Sequence, residues 1–239
     1  MTPGEKIAIV LAGGFGTRLR SVVSDVPKPM ARVAGRPFLE LLLAHLARNG
    51  FGRVVLSVGY LAEVIRDHFG GSWRGLQIDY AVESEPLGTG GAIRAALSRC
   101  DGDHAYVFNG DTYLALDCAG TDALWARAQA QAPIIVGRRV DDTARYGRLE
   151  VDADGRILRF LEKAASGGPG LINAGAYVLP RAIVEEFPPA KRFSFETDYL
   201  REAVARRVFL THETDAEFID IGTPDDYARA QTLLASEAR

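Results

Sequence analysis

The feature that most constrains the fold is an alternation of short apolar runs with helical patterns over the first 111 residues. Residues 7–12 are continuously apolar and end at Gly13-Gly14, which is typical of a strand buried on both faces. Further strands are predicted at 54–58, 76–82 and 104–109, with helices at 37–49, 61–69 and 89–99. This alternation predicts an α/β fold in three layers, with a mostly parallel, doubly wound, Rossmann-like sheet between helices.

The second half of the chain has a mixed pattern. A hairpin is predicted around Asp154-Gly155, between strands at 149–151 and 156–158. Other strands are predicted at 134–140, 171–179, 208–212 and 217–221, and helices near 120–131, after Pro180, at 196–207 and at 225–236. The sequence contains no linker, internal repeat or low-complexity segment, so a single domain over 1–239 is expected.

Composition excludes several classes of protein. With 47% hydrophobic and 25% charged residues the chain is an ordinary globular protein, and its net charge of −3 gives no general attraction to nucleic acid or to an anionic membrane. Its two cysteines, Cys100 and Cys118, match neither a metal site nor a disulfide framework. The first apolar run is too short for a signal peptide, and no run approaches the roughly 20 residues of a membrane span. A cytoplasmic location is expected.

A glycine-rich turn with nearby basic residues follows the first predicted strand. The segment Leu11-Ala12-Gly13-Gly14-Phe15-Gly16-Thr17-Arg18 is followed by Pro27-Lys28-Pro29. Glycines allow backbone N–H groups to approach a phosphate chain closely, and the guanidinium of Arg18 and the ammonium of Lys28 suit phosphate oxygens. Taken alone, the same residues also fit a tight strand-to-helix turn with one exposed basic side chain.

Spacing excludes two other glycine motifs. A Walker loop requires G-x-x-x-x-G-K-[ST], which is missing from this segment. The dinucleotide fingerprint G-x-G-x-x-G lacks its third glycine, because Leu19 stands there. The second strand also ends at Ser57-Val58-Gly59, without the acidic residue that this fingerprint requires.

Two aspartates stand at the ends of predicted strands. Asp111 follows the strand at 104–109, at the expected carboxyl edge of the sheet, and Asp220 ends a short extended run. Carboxylates at such an edge can hold Mg²⁺ and leave the metal free for water and phosphate. The alternative for each is a carboxylate that caps a turn or helix. Just after Asp220, Thr223 is predicted to cap a helix that begins with Pro224.

With these residues in place, the chain resembles the sugar-phosphate nucleotidylyltransferases, also called NDP-sugar pyrophosphorylases. The resemblance begins with the glycine and lysine motifs and continues, in the family's order, at 85–92, 109–111, 162–163, 173–175 and 220–224. It implies a nucleotide-diphospho-sugar transferase fold of the glycosyltransferase-A type. It also implies Mg²⁺ as a cofactor, a nucleoside triphosphate and a sugar 1-phosphate as partners, no nucleic acid or membrane partner, and a monomer or homodimer.

The resemblance implies a role for each matching residue. Arg18 and Lys28 are the implied catalytic residues, and Asp111 and Asp220 the implied metal ligands. The implied nucleotide-binding residues are Leu11, Ala12, Gly13, Gly14, Gly16, Thr17, Arg18, Glu83, Pro86, Gly88, Thr89 and Asp111. The implied sugar-phosphate-binding residues are Gly147, Glu162, Lys163, Asn173 and Gly175. The nucleotide-binding half accordingly covers about 1–115, and the sugar-phosphate-binding half about 116–239.

One of these residues also has a requirement of its own. Asn173 lies in an otherwise apolar predicted strand. Because a buried amide is costly without hydrogen bonds, Asn173 must find partners or lie at the rim of the sheet. Binding of the acceptor is compatible with either placement.

Arg20-Ser21 departs from the continuation Arg-Leu-x-Pro that many family members share. With its short length, the chain most resembles the bacterial D-glycero-α-D-manno-heptose 1-phosphate guanylyltransferases, which use GTP to make GDP-heptose for lipopolysaccharide or capsule. The alternatives are mannose 1-phosphate guanylyltransferases and an N-acetylmuramate 1-phosphate uridylyltransferase. A cytidylyltransferase for phosphoalcohols and a non-catalytic regulatory subunit are more distant alternatives. Loss of Arg18, Lys28 or Asp111 would indicate the regulatory subunit, and all three are present.

Overall fold

The chain forms the predicted alternation of strands and helices, in a computed structural model that describes residues 6–14, 16–19, 22–23, 25–163 and 167–238. The strands are β1 (Lys6–Leu11), β2 (Arg32–Val33), β3 (Arg36–Pro37), β4 (Phe51–Val58), β5 (Ser72–Trp73), β6 (Leu76–Val82), β7 (His104–Asn109), β8 (Thr112–Leu114), β9 (Ile134–Val140), β10 (Arg148–Val151), β11 (Ile157–Leu161), β12 (Gly170–Pro180), β13 (Leu210–Thr214) and β14 (Phe218–Asp220). The α-helices are α1 (Phe38–Arg48), α2 (Ala62–Phe69), α3 (Gly88–Leu97), α4 (Cys118–Arg127), α5 (Arg201–Arg206) and α6 (Pro224–Leu233). Shorter 3₁₀ turns lie at Thr17–Leu19, Lys28–Met30 and Arg181–Glu186, and a π-helical turn at Phe195–Leu200 precedes α5.

A ten-stranded sheet runs through the described part of the chain. Its order is β11-β10-β12-β7-β1-β4-β6-β5, with β9 paired to β12 and β13 paired to β9. β1 is parallel to both of its neighbours, β7 and β4, and β4 is parallel to β6. In the second half of the chain most pairs are antiparallel, and β12 joins β7 in that orientation. The predicted parallel core and the mixed second half are both confirmed. One sheet contains strands of both halves, which supports our proposal of a single domain.

Helices cover both faces of this sheet because its central strands are apolar on both sides. α1, α2 and α4 pack on one face, and α3, α5 and the π-helical turn pack on the other. Each fully buried leucine or isoleucine in these layers contributes roughly 1.5–3 kcal/mol. The three-layer prediction is therefore confirmed. No helix in the described ranges is both long and apolar enough to span a bilayer.

The direction of the crossovers reverses between β1 and β7. The chain leaves β1 and returns through α1 on one face, but it reaches β7 through α3 on the other. At the carboxyl edge, Leu11 of β1 pairs with Asn109 of β7, and both chains then turn away from the sheet. Open α/β sheets bind their ligands in the crevice at such a reversal.

Several elements differ from the sequence-based expectation in extent. The helix predicted near 120–131 spans Cys118–Arg127, and the strand predicted at 208–212 spans Leu210–Thr214. The sequence pattern did not predict β8, which pairs antiparallel with β14 outside the main sheet. A three-residue strand is too short for a periodic pattern, and its partner lies near the other end of the chain.

Local turn chemistry explains where several predicted elements stop and start. Gly50, with φ +79°, follows α1, and Gly155, with φ +78°, forms the turn between β10 and β11. The Thr223 hydroxyl accepts a hydrogen bond from the Asp226 backbone N–H and so caps α6, whose first residue is Pro224. The predicted turn at Asp154-Gly155 and the predicted start of α6 are confirmed, because each depends on residues that are close in sequence.

Candidate active site

The glycine-rich turn after β1 borders a cavity of about 200 Å³ at the carboxyl edge of the sheet. Its lining consists of Leu11, Ala12, Gly14, Gly16, Arg18, Lys28, Pro29, Asp111 and Gly222. Gly16 has φ +57°, and a Cβ atom there would lie 2.8 Å from the Cβ of Lys28. A glycine is therefore required where this loop crosses Lys28. Phe15, Arg20 and Ser21 lie outside the described residues, as does the side chain of Thr17, whose backbone belongs to the first 3₁₀ turn.

Lys28 lies between two carboxylates. Its Nζ is 2.7 Å from Oδ2 of Asp111 and 3.7 Å from Oδ1 of Asp220. The Lys28 side chain is only 11% exposed. Charge interactions are stronger in such a partly desolvated position than on the surface. The ammonium group of Lys28 thus forms ion pairs with both predicted aspartates.

The short β8–β14 pair brings the two aspartates together. In this pair Asp220 stands opposite Thr112, and Thr112 directly follows Asp111 in the sequence. The backbone N–H of Ile221 donates to the carbonyl oxygen of Asp111 at 3.0 Å. Backbone pairing, rather than attraction between the side chains, therefore brings two like charges close to each other.

The environment of Asp220 fits a bound cation. Within the described structure, its buried Oδ1 has no hydrogen-bond partner. Burial and then the charge of Asp111 raise the pKa of Asp220, although Lys28 and Lys163 act in the opposite direction. Among the described residues, no group of three or more His, Cys, Asp or Glu side chains is arranged so that it could hold a metal ion. Two carboxylates suit Mg²⁺, which takes few protein ligands and completes its octahedron with water and phosphate oxygens.

A second cavity, of about 330 Å³, continues from the glycine loop to the start of α3. It is lined by Leu11, Gly13, Gly14, Glu83, Pro86, Gly88, Thr89, Ala92, Asn109, Asp111 and Arg192. The carboxylate of Glu83 is held on two sides, because Oε1 accepts from Ser57 Oγ and Oε2 from the Leu87 backbone N–H, both at 3.0 Å. A Cβ atom on Gly13 would lie 2.5 Å from Glu83 Oε1. The first glycine turn thus leaves room for this carboxylate.

A segment that we call the strap, residues 191–195, lies against the start of α3. The Gly90 N–H donates to the Phe193 carbonyl, and the Phe193 N–H donates to the Leu87 carbonyl, both at 3.0 Å. Gly88 has φ +70°, and a Cβ atom there would overlap the Phe193 carbonyl, while one on Gly90 would overlap the Phe193 ring. Glycines at positions 88 and 90 are therefore required by the close approach of the strap, a reason that the sequence pattern did not reveal.

The third cavity, of about 340 Å³, opens over β12 in the second half of the chain. It is lined by Asn109, Thr112, Tyr146, Gly147, Phe160, Glu162, Lys163, Asn173, Ala174, Gly175, Ser194, Glu196, Thr197, Phe218 and Asp220. A Cβ atom on Gly147 would lie 2.5 Å from the Phe160 ring, and Gly175 has φ +74° with Asn109 Nδ2 2.7 Å from its Cβ position. Both glycines therefore allow close packing at the wall of this cavity.

Asn173 finds the hydrogen bonds that its partly buried position requires. Its Nδ2 donates to the Tyr177 hydroxyl at 2.8 Å, and its Oδ1 accepts from the Gly175 N–H at 3.0 Å. Glu162 and Lys163 follow β11, as predicted, and Glu162 Oε1 lies 3.4 Å from Nη1 of Arg201. Asn109 lines both the second and the third cavity, so the two cavities meet at the end of β7.

A family model shows to which protein family the chain belongs. The model described as nucleotidyl transferase matches residues 7–237, from β1 to α6. The chain belongs to the nucleotidyl transferase family. The resemblance seen in the sequence is thereby confirmed.

Individual nucleotidyl transferases are similar to this one over most of its length. The D-glycero-alpha-D-manno-heptose 1-phosphate guanylyltransferase of Aneurinibacillus thermoaerophilus is 39% identical over 227 residues, which cover 95% of this chain and 97% of the relative. The crystal structure of HddC from Yersinia pseudotuberculosis complexed with GMP-PN matches with a TM-score of 0.81 and 39% identity, over 95% of this chain and 98% of that one. The mannose-1-phosphate guanylyltransferase of Mycobacterium tuberculosis is 37% identical over 95% of this chain and 64% of its own length.

The structure brings the predicted site residues of this nucleotidyl transferase to one edge of the sheet. Apart from Thr17, whose side chain is outside the described atoms, each predicted residue lines one of the three cavities. The roles given to them stay proposals. Sequence reasoning missed further lining residues, among them Asn109, Tyr146, Arg192, Ser194, Glu196, Thr197 and Phe218. Of these, only Asn109 had a usable signal, its place directly before Gly110-Asp111 at the end of a predicted strand.

Proposed function

We propose that this nucleotidyl transferase transfers the guanylyl group of GTP to D-glycero-α-D-manno-heptose 1-phosphate and forms GDP-heptose and pyrophosphate. One observation carries the proposal: the second and third cavities meet at Asn109, and Lys28 forms ion pairs with Asp111 of the second cavity and Asp220 of the third. Such an arrangement suits the transfer of a phosphoryl centre between two anionic substrates. The heptose and guanine assignments are supported by relatives that carry this activity in their names and are 39% identical over nearly the whole chain.

The reaction follows from the chemistry of its substrates. An oxygen of the sugar phosphate attacks the α-phosphorus in line, and an O–P bond forms there. The bond between this phosphorus and the bridging oxygen of pyrophosphate breaks, and its electron pair leaves with pyrophosphate. A phosphate monoester dianion is already a nucleophile near neutral pH, so no general base is required. The protein therefore has to position two anions and neutralise their charge.

The basic residues of the site divide this work. Arg18 and the backbone N–H groups of 13–17 hold the β- and γ-phosphates, close to the α-phosphorus that reacts. Lys28, at the junction of the cavities, neutralises the α-phosphate or the acceptor phosphate. Lys163 binds the acceptor phosphate. Glu162 accepts hydrogen bonds from sugar hydroxyl groups, and the amide of Asn173 can donate or accept them.

A divalent metal fits between the two aspartates. We propose that Asp111 and Asp220 hold Mg²⁺, because Oδ1 of Asp220 is buried without a hydrogen-bond partner in the described structure. When bound, the ion supplies positive charge to the reacting phosphates and helps to orient them.

The carboxylate of Glu83 supports guanine as the base. Guanine presents two adjacent donors, N1–H and the 2-amino group, whereas an ionised carboxylate only accepts hydrogen bonds. Within the described ranges, each Glu83 oxygen has one protein donor, which leaves a further lone pair for a ligand. Uracil and thymine place carbonyl oxygens on both sides of their single N–H, so the same carboxylate would repel them.

A pyrophosphate-release screen tests the proposal. The screen crosses GTP, UTP, CTP, dTTP and ATP with heptose, mannose, glucose and N-acetylmuramate 1-phosphates. We expect the highest kcat/KM for GTP with heptose 1-phosphate. A higher kcat/KM for another pair would identify that pair as the substrates instead. Mannose 1-phosphate is the second candidate acceptor, supported by the relative from Mycobacterium tuberculosis at 37% identity.

We place this reaction in the cytoplasm and propose that the enzyme acts as a monomer or homodimer. Light scattering of the purified chain distinguishes the two states.

A further inference from the structure

A chain of hydrogen bonds connects the nucleotide side of the site with the acceptor side. Its centre is Glu196, in the π-helical turn just after the strap. Oε2 of Glu196 accepts from Thr89 Oγ1 at 2.6 Å and from Ser194 Oγ at 3.1 Å. Oε1 accepts from the Tyr177 hydroxyl at 3.3 Å. The Glu196 carboxylate thus bonds both Thr89, which lines the second cavity, and Tyr177 of β12. We call the second cavity the nucleotide cavity and the third the acceptor cavity, after their proposed ligands.

Tyr177 continues the chain to the acceptor cavity. Its side chain is fully buried, and its hydroxyl accepts from Asn173 Nδ2 at 2.8 Å. Burial and then the charge of Glu196 raise the pKa of Tyr177 well above its usual value, so the hydroxyl keeps its proton and donates a hydrogen bond to Glu196. Tyr177 lines none of the three cavities, and its hydroxyl therefore acts only through its two neighbours.

Backbone features hold both ends of this chain in place. On the acceptor side, the register of β12 against β9 shifts between Asn173 and Tyr177, where Gly175 has φ +74°. The hydrogen bond between the two side chains spans this irregularity of the strand. On the nucleotide side, the hydroxyl of Thr89 accepts from the Phe195 N–H at 2.8 Å, so the start of α3 and the strap form one hydrogen-bonded unit.

We infer that Tyr177 and Glu196 are positioning residues through which the nucleotide and the sugar 1-phosphate each favour binding of the other. A nucleotide that fills the second cavity orders Thr89 and the strap, and this fixes Glu196. Glu196 and Tyr177 then hold the amide of Asn173 in the orientation that the acceptor requires. Buried networks in which every member is satisfied resist rearrangement, and coupling between two binding sites is reciprocal. This inference rests on the proposed function.

Tyr177→Phe tests the coupling, since it removes one hydroxyl and leaves the lining of both cavities intact. Calorimetry measures the dissociation constant of the sugar 1-phosphate used by the wild type, with and without a non-reactive GTP analogue. We expect the analogue to tighten acceptor binding in the wild type by at least fivefold, within the usual range of such couplings. In Tyr177→Phe this factor falls below twofold and the acceptor KM rises, while analogue binding alone changes less than twofold.

Tyr106→Phe is the matched control. The Tyr106 hydroxyl is also buried and also donates to a carboxylate, that of Asp122, at 2.5 Å. Tyr106 lines none of the three cavities, so this variant keeps the coupling of the wild type.

A second pair of variants keeps the inference testable if Tyr177→Phe fails to fold. Thr89→Val removes the hydroxyl that bonds Glu196, and Thr89→Ser retains it. Although Thr89 lines the nucleotide cavity, we expect Thr89→Val to weaken coupling to the acceptor and Thr89→Ser to preserve it. Absence of coupling in the wild type, or wild-type coupling in Tyr177→Phe or in Thr89→Val, overturns the inference. A wild type that turns over none of the substrate pairs contradicts the proposed function instead.

Discussion

Lys28 illustrates how much of this site depends on the chemistry of single side chains. Its ammonium lies within 3.7 Å of carboxylate oxygens of Asp111 and Asp220, at the carboxyl edge of the sheet. We propose that a compact ammonium group at this place moves between the carboxylates and the phosphates of a ligand. Arg18 extends the same positive charge toward the end of the glycine loop.

Removal of either cation should slow the reaction strongly. We expect Lys28→Ala and Arg18→Ala each to lower kcat/KM by roughly 10²–10³, as for the loss of one charge contact in the transition state. Steady-state kinetics with GTP and the preferred acceptor measure this. Lys6→Ala is the control, because Lys6 forms an ion pair with Asp122 at the opposite, amino end of β1. A loss below threefold in both site variants would remove these residues from the mechanism.

The two aspartates should account for binding of the metal. Mg²⁺ that binds only the folded state raises the melting temperature of the wild type. In Asp111→Asn and Asp220→Asn this shift should shrink or disappear, because each variant loses a charged oxygen ligand. Differential scanning fluorimetry over a magnesium titration measures it without any substrate. Asp101→Asn, at an exposed ion pair with Arg53, should retain the wild-type shift. An unchanged shift in both site variants would place the metal elsewhere.

At the scale of elements, the packing of the strap on α3 decides the shape of the second cavity. The glycines at the start of α3 lie directly under Phe193, whose ring is buried against the helix. Helix propensity alone would favour alanine over glycine here by about 1 kcal/mol. The structure requires glycine nevertheless, because a methyl group would occupy the place of the ring.

Gly90→Ala should therefore destabilise the protein despite its favourable propensity. Its Cβ would overlap the Phe193 ring, and overpacking of a buried site typically costs about 1–3 kcal/mol. Urea unfolding measures the change in the free energy of unfolding. Gly71→Ala is a matched control, since no atom lies within 4 Å of its Cβ position, and a change within about 0.5 kcal/mol is expected. If Gly90→Ala were as stable as the wild type, the strap would not be packed as described.

At the scale of the whole molecule, stability should depend on pH through a buried histidine. His45 of α1 is 7% exposed, with Nε2 3.0 Å from the carbonyl oxygen of Leu116. Burial and then the charge of Arg48 lower the pKa of His45 below 6.5. The unfolded chain therefore binds a proton at this position more readily than the folded one, so the free energy of unfolding decreases as the pH falls through about 6.5.

The variant His45→Gln should reduce this dependence. Urea unfolding at about pH 7.5 and about pH 5.5 gives the free energy of unfolding at both ends of the histidine range. We expect a smaller decrease in His45→Gln than in the wild type. His212, whose pKa is also lowered by burial, contributes with the same sign, so the double variant should show the smallest dependence. An identical decrease in wild type and His45→Gln would exclude this role.

The sequence alone determined the features that depend on neighbouring residues. Short apolar runs followed by helical periods predicted the layers and the parallel core, and Thr223-Pro224 predicted the start of α6. The glycine motif and Lys28 predicted a phosphate-binding loop, because both residue type and spacing are restricted where a backbone must approach an anion, and this role stays a proposal.

Only the tertiary structure decided what depends on contacts between distant segments. The pairing of β8 with β14 placed Asp220 beside Asp111, and the strap explained the glycines of α3. The bond from Thr89 to Glu196 joins residues more than one hundred positions apart. Periodicity and propensity describe a single stretch of chain, whereas these contacts arise when separate stretches bury their apolar faces on one sheet. Their partners therefore leave no mark in the local pattern of the sequence.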